Sequence, residues 1–210
     1  VALSQTGAKV GLLDCDIYGP DIPMMMGLSG PPLQEERKLI PKERHGVKTM
    51  SLGLITDPDT PVIWRGPMVM KAIDQFLTDV KWGELDFMII DLPPGTGDAQ
   101  LTLTQKAGLT GAVVVTTPQD VALIDARKGL AMFRKVNVPV LGVVGNMDTF
   151  ACPHCGVHTE IFTRGGSEQA ADQLGVPFLG SIPLDPVTVE HGDAGTPTVV
   201  AEPDSAQALA

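Results

Sequence analysis

Two cysteines lie close together in the stretch GNMDTFACPHCG, which contains Cys152 and Cys155. A Cys-x-x-Cys spacing can place both sulfur atoms on one metal, or it can form a redox-active disulfide. A closed tetrahedral site needs four ligands, and the third cysteine of the chain, Cys15, lies far away in an apolar run. A metal site built on this pair therefore needs ligands from elsewhere.

Three arrangements fit the cysteine pair, and the residues favour the first while leaving the others open. In the first, two copies of the chain each donate Cys152 and Cys155 across a two-fold axis. The resulting Cys₄ site suits a [4Fe–4S] cluster or Zn²⁺. In the second, His154 and His158 complete a Cys₂His₂ zinc site within one chain. In the third, the pair is a redox disulfide, although it does not follow the strand-to-helix turn expected for one.

Carboxylates follow apolar runs at two other places. Asp91 ends the run FMII and is followed by the glycine-rich turn that contains Gly95 and Gly97. Asp14 and Asp16 end a second run, and we expect both on one side of the pleat. A strand-end carboxylate before such a turn can hold Mg²⁺ through water beside a phosphate. The plainer alternative is that these acids cap a helix or solvate a loop.

The elements that must position these residues are predicted from apolar periodicity. Strands are predicted at residues 9–16, 47–52, 87–92, 112–116, 140–145 and 178–182, and helices at 68–80, 99–107, 121–136 and 167–174. Near-continuous Val, Ile and Leu runs are typical of parallel strands covered on both faces. The alternation of strands and helices predicts one doubly wound, mostly parallel α/β sheet, with ligands beyond the carboxyl ends of its strands.

Residues 18–45 are rich in Pro, Gly and Met and show no clear period, so they are predicted to form a loop. Within this loop, Met24, Met25 and Met26 either pack the segment down or offer an adaptable binding surface.

Composition limits the classes of protein and partner. The chain has 210 residues, 43% of them hydrophobic, which suits one domain over residues 1–210. A formal net charge of −10 argues against a nucleic-acid partner. No apolar run approaches the ~18 residues of a membrane span, and no signal peptide is visible. Three cysteines do not make a disulfide framework, which favours a reducing, cytoplasmic setting.

Six segments together resemble the Mrp/ApbC family of P-loop ATPases, iron–sulfur cluster carriers related to MinD, ParA and the nitrogenase iron protein. The segments are VGLLDCDIYGPDIPMMMG, VIWRGPMVMKAIDQFL, DFMIIDLPPGTGDAQLTL, VVTTPQDVALIDARKGLAMF, VVGNMDTFACPHCG and LGSIPLDPVTVEHGDAGTP. The resemblance covers nearly all 210 residues in colinear order. It implies a P-loop NTPase fold of the MinD type, ATP and Mg²⁺ as cofactors, and a cluster that bridges a homodimer.

The resemblance also assigns roles to residues of the acid sites. Asp91 matches the acid that supports Mg²⁺, Asp16 the acid that positions the hydrolytic water, and Asp14 a supporter of the metal shell. Gly95 and Gly97 match the turn that senses the terminal phosphate.

Three further residues match positions around the nucleotide base. Asn146 matches the asparagine that reads adenine, since a side-chain amide can both donate to and accept from a base edge. Pro183 and Asp185 match the loop that lines the base from the other side.

The family's glycine-rich phosphate loop, K-G-G-V-G-K-[ST], is not among the 210 residues. The resemblance places that loop, with the first strand and most of the first helix, just before residue 1. We expect ATP hydrolysis to need it.

Two classes of function compete on these motifs. The first is an ATP-dependent carrier that receives a cluster from an assembly scaffold and transfers it to apo iron–sulfur proteins. The second is a zinc-stapled dimeric targeting or positioning ATPase. The chain has no sizeable Met-rich insertion for apolar clients, and its end, AEPDSAQALA, is not a basic membrane-binding helix. The motifs therefore favour the carrier, with neither nucleic acid nor membrane as a partner.

Overall fold

The computed structural model describes residues 1–16, 19–56, 66–95, 97–152, 154–155, 157–162 and 166–210, without the side chains at 98, 99, 151 and 158. The chain divides into two compact units, and each is treated by itself below. The first comprises Val1–Pro94, Asp98–Leu103 and Val187–Asp204. The second comprises Gly95–Gly97, Thr104–Pro186 and Ser205–Ala210.

Helices and strands alternate along the described residues. In chain order they are α1 (Ala2–Gln5), β1 (Val10–Asp14), α2 (Ile22–Met25), β2 (Leu33–Glu35), β3 (Lys38–Ile40), β4 (Lys42–Arg44), β5 (Val47–Ser51), a 3₁₀ turn (Leu52–Leu54), α3 (Gly66–Thr78) and β6 (Phe87–Asp91). They continue as α4 (Asp98–Lys106), β7 (Ala112–Thr116), α5 (Asp120–Lys135), β8 (Val140–Ala151), β9 (His158–Thr159), α6 (Gly166–Leu174), β10 (Phe178–Leu184), α7 (Pro186–Asp193), α8 (Thr198–Ala201) and α9 (Ala206–Leu209).

The first unit is built on a four-stranded sheet in the order β4-β5-β1-β6. Strand β1 is parallel to both β5 and β6, and β4 is antiparallel to β5. Helix α3 places Val69, Ile73 and Phe76 on one stripe, because residues four and three apart share a helix face. This stripe is buried in a core with Leu13 of β1 and Met50 of β5. The carboxyl ends of β1 and β6 are thereby fixed side by side.

The second unit is built on parallel strands in the order β10-β8-β7, with β9 antiparallel to the end of β8. Helix α5 buries an apolar stripe, which consists of Leu123, Ala126, Leu130 and Phe133. Helix α6 buries Ala170 and Ala171. The two units together give an α/β fold with mostly parallel sheets, as predicted, although the described strands form two hydrogen-bonded sheets and a β2–β3 ribbon.

Strand ends differ from the sequence prediction at both sites. Strand β1 ends at Asp14, so Asp16 lies beyond the strand and the pleat does not place the two acids together. Strand β8 continues to Ala151, so the predicted end of this strand at residue 145, just before Asn146, is wrong. Pairing with β9 and β10 extends β8, and sequence periodicity does not reveal such pairing.

Two other expectations about structure are also corrected. Residues 18–45 were predicted as a loop, but they contain α2, β2, β3 and β4. Near-continuous apolar runs were interpreted as strands covered on both faces, yet in β7 Val113 and Val115 are 47% and 62% exposed. The described residues cover only its other face, which carries Ala112 and Val114.

In the part of the chain that the structure describes, no helix is both long and apolar enough to span a membrane.

Candidate functional site

Asp14 and Asp91 are paired in the parallel register of β1 and β6 and end the two strands together. The backbone N–H of Cys15 donates to the carbonyl oxygen of Asp91 at 3.0 Å, which extends the pairing one residue beyond β1. The first unit therefore brings two of the predicted acids, with Asp16 two residues further on, to one sheet edge. This edge is the acid cluster (Asp14, Asp16 and Asp91).

Asp14 is the buried member of the acid cluster, with no exposed surface. Its Oδ2 accepts a hydrogen bond from the Ser51 hydroxyl at 2.7 Å, and its Oδ1 accepts one from the backbone N–H of Asp16 at 3.0 Å. Burial raises the pKa of Asp14 to about 6, and repulsion from Asp91 and Asp16 adds to this rise, while the two hydrogen bonds oppose it. Sequence reasoning missed Ser51, although its place at the carboxyl end of β5 was a usable signal.

Asp91 is the more exposed acid at the end of β6. Partial desolvation, followed by repulsion from Asp16 and Asp21, raises the pKa of Asp91 above its usual range. Acids that repel one another in this way are stabilised by a cation, so the donor set fits Mg²⁺. Among the described residues, no group of three or more His, Cys, Asp or Glu side chains is arranged to hold a metal ion directly. The Mg²⁺ role of Asp91 stays a prediction.

The turn after β6 is held by a side chain. Gln100 Nε2 donates to the carbonyl oxygens of Pro93 and Pro94 at 3.2 and 2.8 Å. Gly95 has a φ of 98°, a left-handed conformation that favours glycine. Gly97 is exposed, and Thr96 between the two glycines lies outside the described residues. The phosphate-sensing role of Gly95 and Gly97 stays a prediction.

The residues predicted to contact the base lie in the second unit. Asn146 is half-buried in β8 and is paired with Ile182 of β10, next to Pro183. Asp185 directly follows β10. Since Gly145 is paired with the last residue of β7, Asn146 lies just past the carboxyl end of that neighbouring strand. Asn146, Pro183 and Asp185 therefore gather at one end of this sheet, and their contact with a base stays a prediction.

Strand β8 contains an irregular segment directly after Asn146. Ile182 of β10 is paired with Asn146, and the next pair is Leu184 with Phe150. Between these two pairs β8 advances four residues while β10 advances two, so β8 contains a bulge. Met147 has a φ of 57° at the start of this bulge. Asp148 lies inside it, and its two carboxylate oxygens accept hydrogen bonds from Ser167 and Ser181.

Cys152 and Cys155 lie on a hairpin where β8 turns back into β9. The hairpin is closed by the pairs of Phe150 with Thr159 and Ala151 with His158, and by a hydrogen bond from the Cys152 N–H to the Val157 carbonyl at 3.0 Å. Cys152 is half-buried and Cys155 is exposed, and both are free thiols. Pro153 and Gly156 lie outside the described residues.

The electrostatics of this hairpin favour a thiolate. Hydrogen bonds from the backbone N–H groups of His154 and Cys155, and then from the Cys155 side chain, lower the pKa of Cys152 below the usual thiol range. Thiolates are the ligands of zinc and of iron–sulfur clusters. The pair thus fits a soft metal or cluster and supplies only half of a four-thiolate set. Cys15 is fully buried, and burial raises the pKa of its thiol, so it belongs to the core.

Comparison with known proteins identifies the family of the chain. The family model described as ParA: NUBPL iron-transfer P-loop NTPase matches residues 1–210. The chain belongs to this family. It is 53% identical over 213 residues to an iron-sulfur cluster carrier protein of Aquifex aeolicus, and 50% identical over 207 residues to one of Escherichia coli. The alignments cover 100% and 98% of this chain but 58% and 56% of those proteins, so the chain spans a little over half of their length.

Solved structures support the same fold. A nucleotide-binding protein of Archaeoglobus fulgidus in complex with ADP superposes with a TM-score of 0.81 at 36% identity, covering 96% of this chain and 79% of that one. The cell division ATPase MinD of Pyrococcus furiosus superposes with a TM-score of 0.71 at 23% identity, covering 100% and 84% of the two chains. The MinD likeness shows the fold alone. The α/β fold is therefore that of MinD-like P-loop NTPases.

Proposed function

We propose that this protein is an ATP-dependent iron–sulfur cluster carrier in which two copies of the chain hold one [4Fe–4S] cluster between their Cys152 and Cys155 thiols. The observation that carries the proposal is the hairpin, which presents the half-buried thiol of Cys152 and the exposed thiol of Cys155, while the third cysteine of the chain, Cys15, is buried in the core of the first unit. A four-thiolate site then requires a second copy. Relatives named iron-sulfur cluster carrier proteins support the carrier role.

Exposed apolar side chains around the hairpin support a contact between copies. Val157, Ile161 and Phe162 are 58%, 42% and 39% exposed, and all three follow the thiols within a few residues. Apolar surface beside a shared metal site is buried when two chains meet, which adds to the thiolate–metal bonds. We therefore place the two-fold axis at this hairpin.

Nucleotide chemistry is assigned to the acid cluster and to the end of the second sheet. Asp91 would hold Mg²⁺ through water, with Asp14 supporting it, and the ion would stabilise charge on the phosphate oxygens. Asp16 would orient the attacking water, while Asn146, Pro183 and Asp185 contact the base. Asp16→Asn in the full-length protein should then lower kcat for ATP hydrolysis while leaving nucleotide affinity nearly unchanged. An unchanged kcat would remove Asp16 from this role.

The cluster proposal is tested by anaerobic reconstitution with iron and sulfide, followed by visible spectra, metal analysis and light scattering. A four-iron cluster shared by two chains gives about two iron atoms per chain in a dimer. Cys152→Ala should lose the iron and the dimer together. Cys15→Ala is the matched control and should keep both, because Cys15 lies in the core.

Other outcomes separate the alternatives. One zinc per chain with monomeric mass would contradict the bridged site and favour Cys₂His₂ coordination with His154 and His158. A zinc-held dimer that takes up no cluster would favour the targeting or positioning ATPase. Transfer is then followed by mixing the loaded dimer with an apo iron–sulfur protein and watching the spectrum move to the acceptor.

Free thiols at all three cysteines fit a reducing compartment such as the cytoplasm.

A further inference from the structure

We infer that Asp148 is a positioning residue for the thiol hairpin, an inference that rests on the proposed function of Cys152 and Cys155. Asp148 lies in β8, four residues before Cys152 and two after Asn146. Its carboxylate joins three elements, because its partners belong to α6 and β10. It holds the bulge that redirects β8 between the end predicted to contact the base and the end that carries the thiols.

The contacts of Asp148 are short and use both carboxylate oxygens. The Ser167 hydroxyl donates to Oδ1 at 2.6 Å, and the Ser181 hydroxyl donates to Oδ2 at 2.6 Å. Ser167 is fully buried in the first turn of α6, where the helix dipole also favours a carboxylate. Hydrogen bonds to an ionised group are stronger than those between neutral groups. The carboxylate is thus held from both sides.

The Asp148 carboxylate packs against the backbone of β8 at Gly145. A Cβ at Gly145 would collide with the Asp148 carboxylate and would come within 2.8 Å of the Ser167 Cβ. Glycine at this position therefore lets the carboxylate lie against β8 itself. Together with the left-handed Met147, this packing fixes one path for the bulge.

The bulge determines the path of the strand segment that precedes Cys152. Beyond Asp148 the strand pairs with β10 at Phe150 and with β9 at Phe150 and Ala151, and then reaches Cys152. Without the Asp148 carboxylate, the bulge loses its side-chain attachment to α6 and β10. The hairpin would then sample more orientations, and a site that needs four sulfurs in fixed geometry would bind metal less tightly.

The test uses Co²⁺ alone, since the visible ligand-field band of tetrahedral thiolate-bound Co²⁺ reports site geometry without any enzymatic activity. Asp148→Ala should weaken Co²⁺ binding by about tenfold, the low end of the usual effect of removing support outside the ligand shell, and should change the shape of the band. Asp148→Asn should restore both, because its amide can accept from one serine hydroxyl and donate to the other. Circular dichroism run in parallel confirms that each variant is folded at the titration temperature.

Glu168→Ala is the matched control. Like Asp148→Ala it removes one carboxylate, but from an exposed position in the first turn of α6, the turn that also contains Ser167. It should leave Co²⁺ affinity unchanged. If folded Asp148→Ala binds Co²⁺ as wild type does, or if Glu168→Ala weakens binding equally, the positioning role is wrong. If the wild-type chain fails to bind Co²⁺ through Cys152 and Cys155, the proposed function itself fails, and the two failures are thereby distinguished.

Discussion

The Ser51 hydroxyl donates a 2.7 Å hydrogen bond to Asp14 inside the first unit, where neither side chain has exposed surface. The same hydroxyl accepts a hydrogen bond from the Gly53 N–H at 2.9 Å. Ser51 therefore ties the 3₁₀ turn after β5 to the buried acid. A carboxylate with a raised pKa depends on such donors to remain ionised at neutral pH.

Replacing Ser51 with alanine should lower the free energy of unfolding by about 1–3 kcal/mol at pH 7, the usual cost of leaving a buried charged or polar group without its partner. Urea unfolding followed by circular dichroism measures this loss. Thr49→Val is the matched control on β5, because Thr49 is equally buried and its hydroxyl has no hydrogen-bond partner among the described residues. That variant should be neutral or slightly stabilising, and an equal loss would attribute the Ser51 effect to strand packing.

Asp14 should make the protein less stable as pH rises from about 4 to 6. The pKa of Asp14 is raised from 3.8 in the unfolded chain to about 6 in the fold, so only the folded state keeps the proton across this range. The contribution of Asp14 to the free energy of unfolding is therefore fully present below the unfolded-state pKa and is lost as pH rises through the folded-state pKa. At ~1.4 kcal/mol per pKa unit, the loss amounts to about 3 kcal/mol.

Asp14→Asn should remove most of that pH dependence and be more stable than wild type at pH 7. Urea unfolding in EDTA at pH 4, 5, 6 and 7 compares the two proteins. Asp91 also has a raised pKa, so the stability of Asp14→Asn should still fall with rising pH, but less steeply than that of wild type. Parallel stability curves for the two proteins would show that Asp14 does not carry the effect.

The three thiols should differ sharply in reactivity. Cys152 has a lowered pKa and Cys155 is exposed, so iodoacetamide should modify both in the folded protein. Cys15 is fully buried with a raised pKa and should react only after unfolding in urea. Peptide mass spectrometry over time measures each site. Rapid native labelling of Cys15 would mean that the core around β1 opens readily.

Gly145→Ala should destabilise the protein by about 1–3 kcal/mol, because the added methyl group overpacks the space already filled by Asp148 and Ser167. Thermal unfolding gives the change. Gly129→Ala, in the middle of α5, is the opposite case, since its Cβ would meet nothing within 4 Å. It should stabilise the helix by about 0.5–1 kcal/mol. Similar effects from both substitutions would contradict the close approach at Gly145.

The sequence predicted those elements well whose apolar residues keep a regular period from end to end, because burial imposes that period on them. Strand β7 was predicted at its observed bounds, and α5 and α6 within one residue at each end. The three-residue strands β2, β3 and β4 could not be predicted, since so short a segment shows no period and is defined by its pairing partner.

The candidate site divides in the same way. Strand-end acids and the cysteine pair were visible because their chemistry is local in sequence. The contacts of Asp148 were not visible in the sequence, because its partners lie 19 and 33 residues away along the chain and contact it only in the folded unit. The role of Asn146 was predicted by resemblance and stays a prediction. Its strand was predicted to end too early, since the bulge at Met147 interrupts the apolar pattern while pairing continues.

The hairpin that carries Cys152 and Cys155 is held together by the chain's own hydrogen bonds, through the pairing of β8 with β9 and the Cys152–Val157 contact. Zinc fingers, by contrast, fold only when their metal arrives, so that losing the metal means unfolding. If the hairpin carries a cluster as proposed, these hydrogen bonds would keep its shape while the sulfur ligands exchange with an acceptor, and the thiols of Cys152 and Cys155 would stay in place for another round of loading.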